Sequence, residues 1–236
     1  MLTAIALTPS APVLVPELAG AAADEVAGIG DAAKSAAAVL PRRWIAIGVG
    51  TADRTIEPET RGTFAGYGAD VAVSLAPDAP AAIADLPLCA LFAGWLRDRA
   101  GPDARVQVRV YAADHDPATA LDRGRALRAE IDAAAEPVGV LVVADGANTL
   151  TASAPGGHDP AARGAQDALD DALATGDSAA LAVLPDGIVG RVAYQVLAGL
   201  AGPGRHHATE LARAAPYGVG YFVGTWTGFP AAGGSD

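Results

Sequence analysis

The chain of 236 residues carries one cysteine, Cys89, and one lysine, Lys34. A single thiol excludes an internal disulfide framework and a multi-cysteine zinc site. Cys89 lies in an apolar run with helical character, residues 86–96, and reads there as a small packed hydrophobe. Basic residues are few and form no run. Sixteen Lys and Arg stand against 27 Asp and Glu, a net charge of −11. Nucleic-acid binding needs a clustered basic footprint, so that class is excluded. No uninterrupted apolar run reaches the length of a membrane span, so no membrane association is expected. The first 20 residues lack a basic region ahead of an apolar one, and Pro9, Pro12 and Pro16 interrupt them. No secretory leader is expected, and the expected compartment is the cytoplasm.

What the chain does have is apolar residues, 51% of the total and much of that alanine. A core built from small residues and closely packed helices is within reach. The most informative stretch is 138–160, VGVLVVADGANTLTASAPGGHDP. Its start is short, continuous and β-branched, which is the pattern of a strand buried on both faces. Asp145, Gly146, Asn148 and Thr149 follow, then a loop with Pro155, Gly156, Gly157 and His158. Asp159 and Pro160 are expected to open a helix as N-cap and first helical residue. Ligands of open α/β sheets sit beyond the carboxyl ends of the strands, which makes this loop the first place to look for chemistry. A capped connection that binds nothing has the same local signature.

Around that stretch, strands and helices alternate. Strands are expected at 2–7, 44–49, 106–111 and 219–226. Helices are expected at 17–40, broken near Gly28 and Gly30, and at 86–99, 117–131, 160–174 and 188–200. Residues 8–16 form a proline-rich loop and 202–207 a polar turn. The alternation predicts one α/β domain over residues 1–236, a three-layer α/β/α sandwich on a central, largely parallel or mixed sheet. Residues 230–236 are expected to form a flexible tail.

Short motifs exclude several chemistries. Gly48-Val49-Gly50 follows a strand, but the third glycine of a dinucleotide fingerprint would fall on Asp53. A phosphate-loop pattern running from Gly28 to Lys34-Ser35 has Ala33 where glycine is required. There is no Gly-x-Ser-x-Gly elbow. The histidines are His115, His158, His206 and His207. Asp114, His115 and Asp116 read as a turn and helix cap, and His206 and His207 as a solvated turn. His158 lies in the central loop, where it is either a general base or an ordinary loop residue.

Three segments together resemble the catalytic-subunit superfamily of class III extradiol ring-cleavage dioxygenases, including its Memo-like relatives. They are 8–18 (TPSAPVLVPEL), 144–173 (ADGANTLTASAPGGHDPAARGAQDALDDAL) and 215–226 (APYGVGYFVGTW). Their order and spacing match over nearly the whole chain. The resemblance implies a single domain like the catalytic chain of an extradiol dioxygenase. It also implies a ferrous iron site of two histidines and a glutamate, with a further histidine as acid/base. The residues at those places are Ser10, Val49 or Gly50, Ala214 or Ala215, and Asn148 respectively. None of them is the residue that the iron site or the acid/base step requires. No metal cofactor is therefore expected. The expected pocket is Ser10, Asp145, Asn148 and His158, with Asp53, Thr149 and Tyr217 added as ligand-binding residues.

The resulting expectation is a scaffold that has lost iron-dependent cleavage and binds a small molecule or a protein partner in the old pocket. A homo-oligomer packed through Ala-rich helices is a further expectation. The alternative is an active metal-dependent dioxygenase or hydrolase with a relocated site. Such a site would use His115, His158, His206 or His207 with Asp53, Asp114 or Asp145.

Overall fold

A computed structural model describes residues 1–229 of the chain. The tail expected at 230–236 lies outside the described residues. Nine strands are present among them: β1 (Leu2–Thr8), β2 (Arg43–Gly50), β3 (Arg54–Ile56), β4 (Arg61–Thr63), β5 (Ala72–Ser74), β6 (Arg105–Ala112), β7 (Val138–Val143), β8 (His207–Ala214) and β9 (Tyr221–Thr227). The helices are α1 (Pro16–Ala19), α2 (Ala23–Ala37), α3 (Leu88–Ala100), α4 (Pro117–Asp132), α5 (Ala162–Thr175), α6 (Ser178–Ala182) and α7 (Arg191–Ala201).

Seven strands form one mixed sheet in the order β3-β6-β2-β7-β1-β9-β8. β6, β2, β7 and β1 are parallel, and β3, β9 and β8 add antiparallel pairings at the flanks. β4 and β5 form a separate hairpin. Side chains alternate across the sheet as the two-residue strand period demands. Ala4, Ala6, Trp44, Ala46, Val106, Val108, Leu141 and Val143 pack under α2 and α3. Ile5, Leu7, Ile45, Ile47, Val138, Val140 and Val142 pack under α4, α5, α6 and α7, joined by Leu2 ahead of an irregularity in β1. The result is the predicted three-layer α/β/α sandwich. β7 is buried throughout because helices cover both of its faces.

The crossovers place the loops. The connections β1 to β2 and β2 to β6 move one way across the sheet and carry α2 and α3 on one face. The connection from β6 to β7 moves back and carries α4 on the other face. Reversing both direction and face is what a single crossover handedness requires. The loops after Thr8, Gly50, Ala112 and Val143 thus emerge along one edge of the sheet.

Several boundaries differ from the sequence pattern. The predicted long helix is broken at Gly20, where φ is 53°, and continues through Gly28 and Gly30. Only glycine takes that conformation without strain. Asp159-Pro160 does not start α5. Asp159 Oδ1 accepts from Ala161 N at 2.9 Å, a local turn, and the helix begins at Ala162. α7 begins at Arg191, because residues 188–190 fold back onto the central loop. The turn predicted at 202–207 leads directly into β8, an exposed edge strand with little apolar alternation.

Candidate functional site

The three segments that carry the family resemblance meet at the carboxyl edge of the sheet. Ala144 N donates to Thr8 O at 2.9 Å and joins the exit of β7 to that of β1. Ser10 N then donates to Asp145 Oδ1 at 2.8 Å. Gly146 N donates to Gly220 O at 2.8 Å, Gly220 N to Ala147 O at 2.8 Å, and Leu150 N to Gly218 O at 3.1 Å. The loop before β9 is thereby zipped onto the loop after β7. Tyr194 of α7 caps the Ala144 carbonyl through its hydroxyl at 2.8 Å.

A side chain from α5 locks this crossing. Gln166 is 2% exposed. Its Oε1 accepts from Ala147 N at 2.8 Å, and its Nε2 donates to Asp170 Oδ1 at 2.8 Å. The carboxamide fits only because glycine faces it twice. A Cβ at Gly146 would lie 2.0 Å from Gln166 Oε1, and one at Gly220 2.1 Å from it. Burial pushes Asp170 up to about 6, against the opposing pull of the Gln166 hydrogen bond and Arg213.

Asp145 is the central ionisable group. The residue is half-buried, and while Oδ2 keeps contact with solvent, its carboxyl group is closely surrounded by protein. Desolvation pushes it up to about 6, against the hydrogen bond from Ser10. Two buried tyrosines, Tyr194 and Tyr221, feel its charge, and burial raises both phenols first. Sequence reasoning missed Gln166, Tyr194 and Tyr221. Each stands in a helix or strand pattern that local context reads as core.

The predicted pocket residues divide into groups. Ser10 and Asp145 are in hydrogen-bond contact. Asn148 and Thr149 are half-buried on the central loop and hold it through their carbonyls, which accept from Gly156 N and Asp159 N at 3.0 Å each. The side chains of Ser10, Asn148 and Thr149 donate and accept no hydrogen bond among the described residues. His158 is exposed and pairs through its backbone with Leu150. Tyr217 is also exposed. Its backbone adopts φ 56°, and its hydroxyl donates to Glu25 Oε2 at 2.6 Å. Left-handed backbone at a tyrosine is strained, and the adjoining contacts of Gly218 hold it.

Asp53 does not join this group. Its Oδ1 accepts from Ala112 N at 2.9 Å and lies 2.6 Å from His115 Nε2. Its Oδ2 lies 2.9 Å from Arg123. Burial raises its pKa, yet the Ala112 amide, His115 and Arg123 together hold it below the usual carboxylate range. The reason for its departure from the predicted pocket is reach. Asp53 stands past the end of β2, on the side of β6 rather than of β7.

The donors present do not fit ferrous iron. Valine, glycine and alanine offer no side-chain ligand, and Ser10 is a poor one. Among the described residues, no three His, Cys, Asp or Glu side chains gather closely enough to hold a metal ion. The histidines are dispersed. His115 faces Asp53, His206 stacks on Trp226, and His207 Nδ1 lies 3.3 Å from Thr227 Oγ1. No helix among the described residues is long and apolar enough to cross a membrane.

No family model matches the chain, and no curated protein matches it. Sixteen chains among solved structures do match. One is the uncharacterized protein JW3007 from Escherichia coli K12. It has a TM-score of 0.59 and 11% identity, with 96% of this chain and 100% of that one covered. The two chains share a fold. At that identity the likeness extends to architecture alone.

Proposed function

We propose that this chain is a small-molecule-binding relative of the extradiol ring-cleavage dioxygenases that neither holds iron nor cleaves rings. The observation that carries the reading is the set of half-buried polar side chains at the carboxyl edge of the sheet. Ser10, Asn148 and Thr149 are held in place by their backbones while their side chains are free of internal partners. Such groups orient a polar ligand by hydrogen bonds. Contact among all three resembling segments supports the descent of the site. The side chains at the assigned iron positions argue against inherited chemistry. Asn148 donates and accepts hydrogen bonds but does not shuttle a proton near neutral pH.

Two measurements test the reading. Anaerobic titration with ferrous iron should give no stoichiometric binding, and aerobic incubation with iron and catechol no ring-cleaved product. One tightly held ion per chain, or turnover, overturns the loss of chemistry. Ligand-observed NMR against catechols, phenols and small polyols should give hits that Asn148→Ala and Ser10→Ala abolish. Hits that survive both substitutions, or no hits at all, remove the binding site.

A further inference from the structure

A cleft of about 390 Å3 lies between α4 and the β3-β6 edge of the sheet, apart from the site above. Arg109, Tyr111, Arg123 and Glu130 line it, with Asp53 at one end and Thr55 on β3. The strand period places Arg109 and Tyr111 on the same face of β6, the face that α4 covers. Arg123 and Glu130 descend from α4 on the opposite wall.

Tyr111 is 8% exposed, and its hydroxyl, which keeps contact with the open cleft, has no hydrogen-bond partner among the described residues. Burial pushes this phenol up to about 12, and the charges of Arg109, Asp53, Arg123 and Glu130 all act on it. The hydroxyl therefore stays protonated and is a donor at ordinary pH.

The remaining hydrogen-bonding capacity of the cleft leans towards donors, with Glu130 Oε2 as the charged acceptor left over. Both oxygens of Asp53 are engaged, by Ala112 N and His115 on one side and by Arg123 on the other. Arg109 uses Nε on Gln107 and Nη2 on Glu130, which leaves Nη1 over. Arg123 spends Nη2 on Asp53 and keeps Nε and Nη1. Adding the Tyr111 hydroxyl, the unspent donors outnumber the unspent acceptors. Guanidinium groups with free donors match the planar or tetrahedral oxygens of an oxyanion. In a chain of net charge −11, these two arginines converge on one cleft.

We propose that this cleft binds a small molecule through a carboxylate or phosphate group held by Arg109, Arg123 and the Tyr111 hydroxyl.

Calorimetric titration with inorganic phosphate and, separately, with succinate tests the proposal at constant ionic strength. Saturable binding of phosphate alone assigns a phosphate group, of succinate alone a carboxylate, and of both a general oxyanion site. Arg123→Gln, at a side chain that is 52% exposed, should weaken that binding about tenfold, the loss expected for a charge-assisted hydrogen bond. Tyr111→Phe removes only the hydroxyl and should weaken it several-fold. Arg125→Gln lies on the same helix outside the cleft and should bind as the parent does. The proposal is overturned if neither anion binds at millimolar concentration. It is equally overturned if Arg123→Gln binds like the parent, or if Arg125→Gln loses as much as Arg123→Gln.

Discussion

The backbone N–H of Ser10 donates to the carboxylate of Asp145 across 135 residues of sequence, at 2.8 Å. That one bond ties the loop after the first strand to the loop after the central strand. It is also the one hydrogen bond that this half-buried carboxylate makes among the described residues. Because burial raises Asp145 to about 6 from an ordinary value of 3.8, the folded state holds a proton that the unfolded chain releases between those values. Its contribution therefore favours folding in acid, and stability falls as pH rises through that window. Above it the ionised form costs about 3 kcal/mol, at about 1.36 kcal/mol per unit. Asp145→Asn keeps an acceptor for Ser10 N and removes the charge. Urea unfolding should show the variant near the parent at pH 4 and more stable by about 1–3 kcal/mol at pH 8. A difference that does not change with pH would mean that Asp145 is solvated in the folded chain.

The Gln166 lock predicts a thermodynamic coupling. A methyl group at Gly220 would meet Gln166 Oε1 at 2.1 Å, so Gly220→Ala should cost about 2–3 kcal/mol by overpacking. Gln166→Ala alone should cost a similar amount, since Ala147 N is left buried without its acceptor. In the double variant the clash is gone, and the two losses should fall short of their sum by at least about 1 kcal/mol. Additive losses in equilibrium unfolding would show that the two residues do not meet.

How much of this was legible in the sequence follows from how local each signal is. β7 could be read directly, because a strand covered on both faces needs only an unbroken apolar run. The start of α4 was equally plain. Asp116 Oδ1 accepts from Thr119 N at 3.0 Å, a cap written within four residues. β8 was hidden because an edge strand facing solvent, HATELARA, needs no apolar alternation. The partners of Asp53 were hidden for a related reason. Ala112, His115 and Arg123 are 59 or more residues away, and sequence order does not say which neighbouring strand end Asp53 meets. Gln166 had no local signal at all, since its role depends on glycines at 146 and 220.

The glycines of the helices separate into two kinds, and the difference is measurable. α4 and α7 touch backbone to backbone where Gly199 faces Leu121. A Cβ at Gly199 would stand 2.1 Å from Leu121 O, and one at Gly124 2.1 Å from Val196 O. Neither atom is the end of a flexible side chain, so the helices themselves must separate. α4 covers the cleft at Arg109 and Tyr111, so that separation would also loosen the cleft. Gly199→Ala should therefore cost at least about 2–3 kcal/mol in thermal or urea unfolding. At Gly164, on the open side of α5, nothing lies within 4 Å of the added methyl. There the only effects are helix propensity and the entropy of the unfolded chain, and Gly164→Ala should stabilise by about 0.5–1 kcal/mol. Opposite signs for the same chemical change would tie the effect to the α4–α7 crossing. Equal effects at both positions would mean that the two helices do not approach this closely in solution.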